Sequence, residues 1–176
     1  MNNNGIFSPY WILILMILVA MVFINLRFEK FISNEDKFSI LLPRTPEYKQ
    51  ETYQSPLGNI TLHMYNSYES GINYGVEHFN VPLSVNISDT KRILNNMRDG
   101  ALRQSSGNLT FQRDITIQNY PGREYIIKEE NFTIISRDYL INRTAYVIIV
   151  VAPNNKLPSK NIDKFLDSFT LINNLS

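Results

Sequence analysis

Three patterns of apolar and polar positions divide this chain. Across residues 10–26 the apolar side chains wrap every face, and Asn25 is the only clearly polar one. Such a stretch makes roughly 26 Å of helix, at the short end of what crosses a ~30 Å hydrocarbon layer. Pro9 suits a first helical turn, Tyr10 and Trp11 stand where amphipathic rings meet headgroups, and Arg27 and Lys30 close the other end. A cleaved signal peptide needs a basic start and a small-x-small exit. MNNNGIFSPY holds no Lys or Arg, and the large Leu18 sits two places before Ala20. A core helix would keep one polar face, and this stretch has none. The pattern therefore predicts one uncleaved, single-pass transmembrane helix that meets the lipid bilayer through residues 9–26.

Beyond it the rhythm changes to two. EKFISNED reads as a polar spacer, KFSILLP as a short strand ending at Pro43, and EYKQETYQSPLGNITLHMYNSY as two strands around SPLG. A turn near ESGIN leads into YGVEHFNVP. NLTFQRDITIQ alternates strictly, with Leu109, Phe111, Ile115 and Ile117 on one side; Arg113 falls on that apolar side, so a bulge turns it out or an acid pairs it. REYIIKEENFTIISRDYLINRTAYVIIVVAP supplies three more strands, and AYVIIVVA, apolar at odd and even positions alike, is expected to be covered on both faces.

A period near 3.6 appears twice. In SDTKRILNNMRDGALRQ, Ile93, Leu94, Met97, Ala101 and Leu102 share a face behind a cap at Ser88 or Asp89. In SKNIDKFLDSF, Ile162, Phe165, Leu166 and Phe169 recur at i, i+3, i+4 and i+7. Hairpin turns between neighbouring strands make the sheet antiparallel. The predicted class is α+β: a sheet of about seven or eight strands with packing helices, an α/β/α sandwich, preceded by the transmembrane helix. Residues 1–34 form anchor and spacer, and 35–176 form one domain.

Composition narrows the chemistry. The chain has no cysteine, which removes disulfides, thiolate metal sites, cysteine nucleophiles and a lipidated cysteine anchor. From residue 35 onward the 15 Lys and Arg balance 15 Asp and Glu, so no nucleic-acid footprint appears. Six of the 21 asparagines stand in N-x-S/T patterns, read here as asparagine-rich coding, with glycosylation dependent on a eukaryotic secretory route.

Candidate sites are few. The chain has two histidines. With the hairpin turning around residues 69–71, His63 faces Glu77, and His78 points to the opposite side of the sheet, so the two share no metal; a one-residue shift of the turn would reverse this. Lys128, Glu129 and Glu130 form a solvated turn. Lys91, Arg92, Arg98 and Arg103 make the outer face of the first helix mildly basic. Gly122 in PGREY supplies turn chemistry, while Arg123 and Arg137 anchor neighbouring strands. Tyr48, Tyr53, Tyr65, Tyr68 and Tyr74 gather along the early hairpins, as core packing or as a recognition surface. No HExxH, GxSxG, GxGxxG or P-loop pattern is present. No catalytic, cofactor-binding or metal-binding residue is assigned.

The order FSILLP, hairpins, helix, PGREY, RDYLINRTAYVIIV and IDKFLDSF resembles the PsbP-like superfamily, which includes the photosystem-associated PsbP proteins and DcrB-type bacterial lipoproteins. The resemblance spans about residues 36–172. It implies an α/β/α sandwich, usually outside the cytoplasm or in the thylakoid lumen, that acts by binding and carries no shared catalytic set. The anchor departs from the family, being neither a lipobox nor a standard export signal. Arg27, Lys30 and Lys37 follow the span with nothing basic before it, and so vote for a cytoplasmic domain; the two signals disagree on the side. The expectation is a membrane-anchored, non-enzymatic binding or assembly domain that docks on another membrane complex. The alternative is a small-ligand or lipid-binding module with a cavity of several hundred Å3 between sheet and helices. An enzyme ranks third, to be revived by a buried histidine cluster with perturbed titration.

Overall fold

The computed structural model describes residues 28–55 and 58–172. The stretch expected to cross the bilayer lies outside them. Among the described residues, no helix is long and apolar enough to cross a membrane.

Seven strands form one antiparallel sheet: β3 (Glu47–Ser55), β4 (Gly58–Glu69), β5 (Ile72–Asn80), β6 (Asn108–Ile117), β7 (Tyr120–Lys128), β8 (Phe132–Ile141) and β9 (Thr144–Pro153), in the spatial order β3-β4-β5-β9-β8-β7-β6. β1 (Glu29–Ser33), β2 (Phe38–Leu42) and β10 (Thr170–Leu171) form a second, three-stranded sheet in the order β1-β2-β10. Among the described residues the α-helices are α1 (Thr90–Gln104) and α2 (Lys160–Asp167).

The main core lies between the two sheets. Phe38, Ile40 and Leu42 of β2 pack with Tyr74, Val76, Ile148 and Val150, and Ile162, Phe165 and Leu166 of α2 close the same cluster. Full burial of each of those three α2 side chains stabilises by roughly 1.5–3 kcal/mol. On the other face, α1 packs over β7 and β8, and Ile93 and Leu94 join Val81, Leu140 and Ala145 in a smaller cluster. The Asp89 carboxylate caps α1 by accepting from the Arg92 backbone N–H at 3.0 Å.

Three expectations change. The sandwich has a helix alone on one face only; on the other, α2 shares the covering layer with the small sheet. The spacer 29–36 is part of the fold, and so is Phe28 before it. Phe28 is buried in the main core, its ring edge-on to Tyr74 at 5.5 Å. β1 is an outer strand with its charged residues in water, so its polarity hid it. β9 is covered on one face along its length (Tyr146, Ile148, Val150 and Ala152 are buried), whereas Val147, Ile149 and Val151 on the other are half-exposed, because α1 does not reach them.

Arg113 stays on the apolar side of β6 and is paired, its guanidinium 3.0 Å from Glu124 Oε2. The bulge falls upstream, between Leu109 and Phe111, and sends those two residues to opposite faces. Gly122 lies within β7 rather than in a turn. The Tyr139 ring and the Asp138 carbonyl occupy the place a Cβ would take, so close approach is what requires glycine there.

Candidate metal centre

One turn decides the site. β4 and β5 are joined by two residues, Ser70 and Gly71, both with positive φ (52° and 78°). That geometry is the tight hairpin turn whose twist matches the strands, and glycine takes its second place without strain. Glu69 therefore pairs with Ile72, and His63 pairs with His78. The sequence register, built on a three-residue turn, was off by one. Glu77 faces Met64 instead, and both imidazoles emerge on the face toward the small sheet. Their rings stack, with centroids 4.5 Å apart and planes 10° from parallel.

The third group comes from the turn between β1 and β2, absent from the sequence reading. Lys37, at φ 57°, bends the chain so that Asp36 lies over the histidine pair. Asp36 Oδ2 accepts hydrogen bonds from Ser33 Oγ at 2.8 Å and from the Tyr65 hydroxyl. Asp36 Oδ1 lies 3.1 Å from His78 Nε2, and both side chains are 10% exposed. Tyr146 Oη donates to the Asp36 carbonyl at 2.8 Å, tying the turn to β9. Tyr48 Oη lies 2.9 Å from His63 Nδ1 on the outer side.

The electrostatics follow from this packing. Burial alone would raise the Asp36 carboxyl; the hydrogen bonds from Tyr65 and Ser33, then His78 and His63, more than reverse this and hold it below the usual carboxylate range. Burial lowers the His78 imidazole despite the adjacent carboxylate, which keeps the ring neutral to lower pH. Tyr65 is pushed up to about 12, first by burial and then by its bond to Asp36.

His78 Nε2 is buried and makes no aligned hydrogen bond. Its 3.1 Å contact with Asp36 is close enough for an ion pair but lies off the donor axis. A neutral imidazole with its proton on Nδ1 would aim a bare lone pair beside a carboxylate oxygen, an arrangement that a cation between them relieves. Asp36, His63 and His78 each offer one such atom, all within 4.8 Å of one another. Two imidazoles and a carboxylate suit Zn(II), Fe(II), Co(II) or Ni(II) rather than Ca(II) or Mg(II), and leave coordination positions open. An ion binds in the plane of an imidazole, so the parallel rings must unstack to converge on it.

The other sequence candidates divide. Tyr48 and Tyr65 stand on the side of the cluster with ring centroids 5.0 Å apart, Tyr53 and Tyr68 are exposed on the opposite side, and Tyr74 is buried, so the five make no single patch. Arg137 bridges Glu124 and Asp167 at 2.7 Å each, and Arg123 ties β7 to Asp114 of β6 at 2.8 Å. Both anchor neighbouring elements as expected. A cavity of about 420 Å3 opens between α2 and the sheet, lined in part by Ile126, Ile135, Leu157, Pro158 and Ile162.

No protein-family model matches the chain, and no curated protein matches it. The fold is similar to the solution structure of the cyanobacterial PsbP protein (CyanoP) from Synechocystis sp. PCC 6803. The TM-score is 0.55 at 11% sequence identity, over 82% of this chain and 92% of that one. At that identity the likeness is one of fold.

Proposed function

We propose that this chain is a non-enzymatic binding domain, tethered to a bilayer through residues 9–26, that takes up a divalent transition-metal ion between Asp36, His63 and His78. The observation that carries the reading is the convergence of the chain's two histidines and a carboxylate in a partly buried place, one nitrogen lacking an aligned partner. The cluster stands at the end of the sheet away from Phe28. Tyr74, which Phe28 contacts, and His78 are four positions apart on β5, about 13 Å. A tether before Phe28 would hold the centre outward from the lipid, toward a docking partner such as another membrane complex. His78 is buried and its titration perturbed, as in an acid–base site. Yet Ser33 spends its proton on Asp36 rather than facing a histidine, and Tyr65 at about 12 is a poor nucleophile.

Titration of the full chain in maltoside micelles with Zn(II) by calorimetry, and with Co(II) by absorbance, tests the reading. One ion per chain is expected, with loss of binding in His63→Ala and Asp36→Asn at unchanged circular dichroism. Tyr48→Phe should weaken binding by roughly 10- to 100-fold, because its hydroxyl orients the His63 ring. Absence of stoichiometric binding, or binding indifferent to His63, overturns it.

A second reading, a module for a small apolar ligand, is supported by the roughly 420 Å3 cavity beneath α2. Ile135→Trp would fill that space and should abolish uptake of a fluorescent fatty acid. Uptake that survives this substitution removes the second reading.

A further inference from the structure

A different cavity, of about 340 Å3, opens on the opposite face between α1 and the outer strands β6 and β7. Its lining includes three cations, Lys91, Arg98 and Arg123, and one carboxylate, Asp114; Arg113 also lines it, but its guanidinium lies on the other face of β6 with Glu124. Three elements build it. Lys91, Asn95 and Arg98 fall at i, i+4 and i+7, one stripe of α1. Gln112 and Asp114 lie two apart on β6, and Arg123 sits directly opposite Asp114 on β7.

Arg123 is 5% exposed, an unusual place for a guanidinium. It donates to Asn95 Oδ1 at 2.8 Å and is paired with Asp114 Oδ1 at 2.8 Å, while its Nε is buried without a partner. Arg98 is held by Asp99, at 2.6 Å, and by Gln112. Arg113 shares Glu124 with Arg137. Lys91 makes no ion pair among the described residues. It also stands in the first turn of α1, which contains no acidic residue, where a cation opposes the helix dipole. The structure thus buries a guanidinium beneath the helix, at a cost in desolvation that core packing does not explain.

We infer that this groove binds the phosphate group of a small soluble molecule. The fixed guanidinium forks of Arg98 and Arg123 and the Lys91 ammonium, from α1 and β7, match an oxyanion, whose charge would pair with Lys91 and with the buried Arg123 together. The cavity exceeds a lone phosphate, so room remains for the organic part. A phospholipid headgroup offers the same chemistry, but the groove faces away from the side of the sheet where Phe28 packs. The inference is independent of the metal centre.

The test is a titration of the isotope-labelled full chain in maltoside micelles with inorganic phosphate at constant ionic strength, read at the Arg123 Nε–Hε resonance. A saturable shift is expected. Lys91→Ala should weaken it about tenfold, as expected for one lost charge-assisted contact, and Arg103→Ala, on the same helix outside the cavity, should leave it unchanged. A shift that grows linearly and is matched by chloride overturns the site. Equal weakening by the two substitutions reduces it to diffuse charge and also overturns it. Saturation by phosphatidic acid vesicles but not by free phosphate overturns the soluble source.

Discussion

Asp138 is the residue whose placement runs most against its chemistry. It is fully buried on β8 beneath α1, where Ser136 Oγ donates to its Oδ1 at 2.6 Å. Burial, reinforced by Glu77, pushes its carboxyl from 3.8 up to about 7, against the opposing bonds from Ser136 and Tyr125. Between those two values the folded chain keeps a proton that the unfolded chain has released. Its contribution is therefore fully present below about 3.8, declines through the window, and is gone above about 7. Asp138→Asn keeps the acceptor for Ser136 and removes the charge. It should raise stability at pH 8 by on the order of 1–3 kcal/mol, with the gain closing toward pH 4. Thermal melts of both chains across that range check this. A difference that does not vary with pH would show that the carboxylate is not what limits stability. Nothing in the sequence announces this residue: in RDYLIN an inward Asp is indistinguishable from an outward one until the strand register is known.

Elements were legible in proportion to how strongly one face is buried. The α2 stripe of Ile162, Phe165 and Leu166, the α1 stripe, and the long hairpins from β6 to β9 could be read directly, because burial imposes its period on the sequence. β1 and β10 could not. β1 partly buries Phe31 and leaves Glu29, Lys30 and Ile32 in water, with the buried Phe28 standing just before it, while β10 has only two residues. The candidate centre was lost through a single turn. A hairpin loop of three residues and one of two differ by one in pairing, and that difference exchanges every side chain between faces. Ser70-Gly71 is itself a signal for the two-residue turn, since glycine at a positive-φ position is what such turns select. Reading it would have placed His63 opposite His78. Asp36 had no such signal. It reaches the pair only because the small sheet folds back over the large one, a contact of high sequence separation that local pattern does not encode.

At the scale of the whole molecule, what matters is how abruptly the apolar N-terminal stretch gives way to a folded core. Residues 10–26 end one position before Arg27, and Phe28 is already packed against Tyr74, with the Lys164 ammonium 5.4 Å from its ring centroid. If the stretch spans a bilayer, no slack separates lipid from domain, and the domain's orientation is set by Phe28 rather than by a flexible leash. Two removals separate anchoring from folding. A chain of residues 28–176 should lose its membrane association on carbonate washing, which the full chain resists, and should keep the same melting transition. In that shortened chain Phe28→Ala should cost about 3–5 kcal/mol by opening a cavity in the main core, visible as a large drop in melting temperature. Should the shortened chain still sediment with vesicles while the full chain washes free, the apolar segment is not the anchor, and the outward placement of the histidine pair loses its basis. Should Phe28→Ala leave the melt unmoved, the segment is joined to the core by a loose linker, and the end of the sheet facing the lipid is no longer determined.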